Sequence, residues 1–119
     1  MAKNDRVTIY HNPRCSKSRQ TLELLRHRGV EPSVVEYLDE PLDERQLKAL
    51  LKKLGMRPID LIRKKEKLFA DLGLARKPDD DTALIGAMVK HPSLIERPIV
   101  VKGPNAAVGR PPNRALEIL

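Results

Sequence analysis

The chain has 119 residues, a formal charge of +7, an apolar fraction of 40% and a single cysteine. That length fits one compact domain, expected over residues 1–119, with enough apolar material for a core. One cysteine excludes an intrachain disulfide and a cysteine-built zinc site, so redox work by Cys15 would need a second thiol from another molecule.

The positive charge is compatible with nucleic acid, an anionic membrane surface or a small anion. Two Tyr, one Phe and no Trp leave little to stack on bases, which argues against single-stranded nucleic acid. No apolar run approaches the roughly 20 residues of a membrane span. Met1–Arg6 leads straight into a strand-like run without a signal-peptide core, so a cytoplasmic protein without nucleic-acid or membrane partners is expected.

In chain order, Val7-Thr8-Ile9-Tyr10 favours a strand, and the turn signal Asn12-Pro13 follows. Ser16 to Arg28 are good helix formers with Leu22 and Leu25 on one face, and Gly29 is placed to end the helix. Val34–Leu38 reads as a second strand, which completes a βαβ unit with parallel pairing. Asp43 and Gln46 form a capping-box pair, and Leu42 with Leu47 matches a hydrophobic staple. Leu47, Leu50, Leu51 and Leu54 then follow helical spacing up to Gly55.

Pro58 suits the first turn of a helix through Arg63, with Arg63-Lys64-Lys65 as its solvated face. Asp79 to Asp81 can cap another helix whose inner face is Leu84, Ile85 and Met88. Ile99-Val100-Val101 is a strand, and Ala106-Ala107-Val108 can return antiparallel across Gly103-Pro104-Asn105. A short helix from Asn113 to about Leu119 follows Pro111 and Pro112. The order β-α-β, helical insertion, β-β-α is an α/β, thioredoxin-like arrangement with a mixed central sheet.

The most informative segment is Tyr10-His11-Asn12-Pro13-Arg14-Cys15-Ser16-Lys17-Ser18-Arg19. It sets Cys15 between a strand and a helix N-terminus, where the dipole and unpaired N–H groups favour a thiolate. Arg14, Lys17 and Arg19 add positive charge. The same N–H groups can hold a small oxyanion beside the sulfur. His11 either supports the thiolate electrostatically or merely ends the strand. His27 and His91 are expected at the surface, and Glu36 and Asp39 are assigned no role. No Walker motif, dinucleotide fingerprint or metal-ligand cluster is present, so neither a bound cofactor nor a metal is expected.

From Ile9 to Leu119 the chain resembles the thioredoxin-fold arsenate reductases that use glutathione and glutaredoxin. The resemblance rests on His11-Asn12-Pro13-x-Cys15-x-x-Ser18-Arg19 together with Leu61-Ile62-Arg63-Lys64, Glu96-Arg97-Pro98-Ile99-Val100-Val101 and Gly109-Arg110-Pro111. It implies that Cys15 is the nucleophile, with His11 as a second catalytic residue. Ser18, Arg19, Arg63, Arg97 and Arg110 would hold the oxyanion, and Pro98 would be the proline that follows a cis peptide bond and faces the cysteine.

The implied function is reduction of arsenate to arsenite. Glutathione would serve as co-substrate, and glutaredoxin would clear a Cys15–glutathione mixed disulfide. Ser16-Lys17 departs from the Gly-Thr that the best-characterised arsenate reductases of this class carry after the cysteine, and resembles another branch of the family. Two alternatives stay open: a thiol oxidoreductase acting on glutathione mixed disulfides or another oxyanion, and a non-catalytic regulator that binds RNA polymerase.

Overall fold

A computed structural model describes residues 6–119. The expectation for Met1–Arg6 therefore lies, up to Asp5, outside the described residues. The described residues form two compact units, one of residues 6–40 and 97–119, the other Pro41–Glu96.

The first unit carries the sheet. β1 (Val7–Tyr10), α1 (Ser16–His27) and β2 (Ser33–Val35) make the βαβ unit, and β3 (Ile99–Lys102) and β4 (Asn105–Val108) make the hairpin. The strand order is β2-β1-β3-β4. β1 pairs parallel with β2, with Ile9 opposite Val34, and antiparallel with β3, with Ile9 opposite Val100. β3 and β4 pair antiparallel, with Lys102 opposite Asn105. That register leaves Gly103-Pro104 as a two-residue turn, and the φ of 58° at Gly103 suits a turn with glycine in its first central position.

Alternation along β1 buries Val7 and Ile9, which meet Leu25, Val100 and Ala115 in the core of this unit. Leu22, Val30 and Ile118 pack against that cluster. On α1 the buried stripe is Ser18, Thr21 and Leu25, so its first two turns present small polar side chains to the interior.

The second strand is shorter than its sequence suggests. Beyond Val35 the backbone folds into a turn in which the N–H groups of Asp39 and Glu40 donate to the Glu36 carbonyl. The C-terminal segment Pro112–Ile118 is wound as a 3-10 helix. Arg97-Pro98 and Arg110-Pro111 are both cis peptide bonds.

The second unit is helical: α2 (Glu44–Leu54), α3 (Pro58–Leu61), α4 (Lys67–Asp71) and α5 (Asp81–Lys90), with 3-10 turns at Leu74–Arg76 and Pro92–Leu94. The Asp43–Gln46 capping box forms in both directions at 2.7 and 3.0 Å, and Gly55 ends α2 at φ 65°. Leu42 and Leu47 are both buried, as a staple requires. Asp80 caps α5, whose Leu84, Ile85 and Met88 are buried.

α3 stops at Leu61 rather than continuing to Arg63. Ile62 bridges to Ile95, and the Arg63 N–H donates to the Leu94 carbonyl. Residues 63–65 are thus a turn and not a helix face. No helix among the described residues is long and apolar enough to cross a membrane.

Candidate active site

The loop between β1 and α1 is built from local bonds. Asn12 accepts from Arg14 N–H through Oδ1 and from Cys15 N–H through its carbonyl, closing a turn with Pro13 at its second position. Arg19 Nη1 donates to the Pro13 carbonyl at 2.9 Å from the exposed side of α1. Cys15 is therefore delivered to the N-cap position of α1 with extended backbone, φ −96° and ψ 124°.

No side-chain oxygen caps α1. Its first N–H groups turn to sulfur instead. Burial of Cys15 pushes its thiol up, but the Ser18 N–H, the charge and hydrogen bond of Arg97, and the Lys17 N–H together bring it below its ordinary value. Arg110 Nη2 lies 3.6 Å from Sγ. Arg110 Nε also donates to the Arg97 carbonyl at 2.7 Å, which ties the second arginine to the backbone of the first.

His11 does not reach the sulfur directly. Its main-chain N–H extends the β1–β2 pairing to the Val35 carbonyl, and its Nδ1 lies 2.7 Å from Ser18 Oγ. Ser18 Oγ also accepts the Asn12 N–H at 3.0 Å. His11, Asn12 and Ser18 thus lock the loop onto the helix turn whose N–H faces Cys15. Burial lowers the His11 pKa, Glu36 opposes that shift, and Arg26 and Arg19 add to it, so the imidazole is neutral near pH 7.

Of the residues picked from the sequence, Cys15, Ser18, Arg97 and Arg110 come together around the sulfur, and Pro98 follows directly on Arg97. Arg19 serves the loop backbone. Arg63 belongs to the helical unit, where its guanidinium bonds to Glu66 and pairs with Glu96 at 3.5 Å. His27 ends α1, and His91 caps the end of α5.

The sequence motifs leave out Thr21 and include Gly109 only as the residue before Arg110, with no role of its own. Thr21 is wholly buried with Oγ1 donating to the Lys17 carbonyl, and Gly109 N–H donates to the Pro98 carbonyl at 2.9 Å. The available signal was the i, i+4 spacing that puts Thr21 on the same helix face as Leu25.

A mixed four-stranded sheet with a lone thiol at the start of its first helix places the chain among thioredoxin-like α/β proteins. The ArsC family model matches residues 10–118, and the chain belongs to that family. It is 55% identical over 114 residues to "Uncharacterized protein YfgD" of Escherichia coli strain K12, covering 95% of this chain and 96% of that one. To an arsenate reductase of Neisseria meningitidis it is 48% identical over 106 residues, covering 88% and 91% of the two chains. The solved structure of an arsenate reductase from Vibrio cholerae superposes with a TM-score of 0.93 at 48% identity, covering 96% of this chain and 98% of that one.

Proposed function

We propose that this protein reduces arsenate to arsenite, with glutathione as co-substrate and glutaredoxin as the partner that regenerates it. One observation carries the reading. The only thiol caps a helix start and is faced by two guanidinium groups, so a nucleophile and an anion seat coincide. Family membership and the arsenate reductases among the relatives support arsenic as the electrophile.

The Cys15 thiolate attacks arsenic, an S–As bond forms, and an As–O bond breaks, releasing oxygen as water after protonation. Arg97 and Arg110 offset the charge of the oxyanion. A glutathione thiolate then attacks Cys15 sulfur. The S–S bond forms, the S–As bond breaks, and its electron pair stays on arsenic, which leaves as arsenite. Glutaredoxin removes the glutathionyl group by thiol–disulfide exchange. No second cysteine exists in the chain to carry an internal relay.

The test is arsenate-dependent NADPH oxidation coupled through glutathione, glutaredoxin and glutathione reductase. Cys15→Ser is expected to abolish turnover, and Arg97→Ala to raise KM for arsenate about 10- to 100-fold, the worth of one charge-assisted hydrogen bond. A folded wild-type protein whose Cys15 alkylates rapidly near neutral pH, yet shows no arsenate-dependent rate, would overturn arsenate reduction.

A further inference from the structure

The two sulfur-facing arginines lie beside Pro98 and Gly109, and Gly109 packs closely against both Pro98 and Thr21 of α1. Arg97 precedes Pro98, and Arg110 follows Gly109. A Cβ added to Gly109 would stand 2.6 Å from Thr21 Oγ1, 2.9 Å from Pro98 Cγ and 3.1 Å from Thr21 Cγ2. Contacts under 3.0 Å do not occur without displacement. Neither neighbour can give way easily. Thr21 is β-branched, wholly buried and held by its bond to the Lys17 carbonyl, and Pro98 is a buried ring of fixed φ.

The ends of β3 and β4 are also fastened to each other, by Gly109 N–H to the Pro98 carbonyl and by Arg110 Nε to the Arg97 carbonyl. Thr21 is the helix residue on which these joined ends close, about 9 Å along α1 from the N-cap that carries Cys15.

We propose that Thr21 and Gly109 are positioning residues: their glycine-only contact sets how closely Arg97 and Arg110 approach Cys15 Sγ. The proposal deepens the reading of Cys15 as an oxyanion-handling thiolate and rests on it, but its first readout needs no arsenate. A side chain at position 109 lifts the joined ends of β3 and β4 off α1, draws both guanidinium groups back from the sulfur, and returns the thiol toward its ordinary pKa. The same retreat weakens the hold on a bound oxyanion while leaving the nucleophile in place.

The experiment follows Cys15 alkylation by iodoacetamide against pH in the folded protein, with arsenate KM measured alongside. Gly109→Ala is expected to raise the thiol pKa by about one unit, slowing alkylation about tenfold below neutral pH, and to raise KM more than it lowers kcat. Gly109→Ala with Thr21→Ala removes the 2.6 Å clash and the 3.1 Å contact, leaves Pro98 Cγ, and is expected to recover much of the shift. Gly109→Ala with Thr21→Ser retains the 2.6 Å clash and is expected to recover little.

Thr21→Val sets a methyl group in place of Oγ1 against Gly109. It presses on the same contact from the helix side and gives a smaller shift in the same direction, which serves if Gly109→Ala does not fold. A folded Gly109→Ala or Thr21→Val protein with wild-type alkylation overturns the positioning role, as does equal recovery by Thr21→Ala and Thr21→Ser. Loss of arsenate turnover in the wild type with these thiol shifts intact would instead count only against arsenate as the substrate.

Discussion

α1 and α2 begin with the same problem and solve it differently. Each helix leaves its first N–H groups without intrahelical acceptors. At α2 the Asp43 carboxylate takes the Gln46 N–H and the Gln46 side chain returns a bond to the Asp43 N–H, while Glu44 adds negative charge in the first turn. At α1 the N-cap is a cysteine, no side-chain oxygen is involved, and the first turn holds no acid. Its N–H groups and the adjacent guanidinium groups are left to a sulfur atom. A closed helix start contributes stability, whereas an open one stores a preference for negative charge that a thiolate and an anion can use.

The largest expected effect comes from converting one start into the other. In Cys15→Asp a carboxylate replaces the thiolate at the N-cap, where it can accept from the same N–H groups and face Arg97. Turnover is expected to fall to background while Tm equals or exceeds that of the wild type, since Asp is a preferred N-cap. Calorimetry beside the coupled assay checks both halves. A Tm several degrees lower would mean that sulfur does not act as the cap of α1, and the comparison would break.

These two starts also differ in how far the sequence discloses them. The α2 box is visible because every atom in it lies within four residues, and the same holds for the Asn12-Pro13 turn and the Gly55 stop. The surroundings of Cys15 are only half visible. Its place before a helix can be read from Cys15 to Arg19, but Arg110 follows it by 95 positions, and no spacing shows that Arg110 meets both sulfur and the Arg97 carbonyl.

Elsewhere a tertiary bridge and a local turn each override the sequence pattern. The Ile62–Ile95 bridge ends α3 early, and the Glu36 turn cuts β2 short of Leu38. α4 escaped notice because five residues around a single buried Phe69 make no period. The close contact at Gly109 is invisible to any local pattern, since Thr21 and Pro98 are remote from it in sequence.

A smaller effect sharpens the stabilising side of the comparison. Asp43→Ala removes the carboxylate that accepts the Gln46 N–H, leaving the backbone bond from the Asp43 N–H to Gln46 Oε1, and is expected to cost about 1 kcal/mol. For a chain of this size that is a fall in Tm of about 4 °C. kcat and KM are expected to remain those of the wild type. Gln46→Ala, which removes only the returning bond to the Asp43 N–H, is expected to lower Tm by less. If both variants matched the wild type in Tm, the box would contribute nothing measurable, and the contrast with α1 would concern charge alone.

The smallest effect concerns pH, and it reaches one start but not the other. α1 is supported from outside by His11, at the end of β1, through Ser18. Burial holds the folded His11 pKa below the ordinary value of about 6.5. As pH falls past about 6.5, the unfolded chain therefore takes up a proton that the folded protein resists, and stability declines until the folded imidazole also titrates.

His11→Gln removes that proton from both states while keeping an amide within reach of Ser18. Its stability, followed by urea unfolding between about pH 7 and pH 5, is expected to fall less steeply than that of the wild type. Asp43→Ala keeps His11 and should run parallel to the wild type over the same range. Parallel curves for wild type and His11→Gln would show that His11 is not held neutral by the fold, and that the α1 start is as self-contained as that of α2.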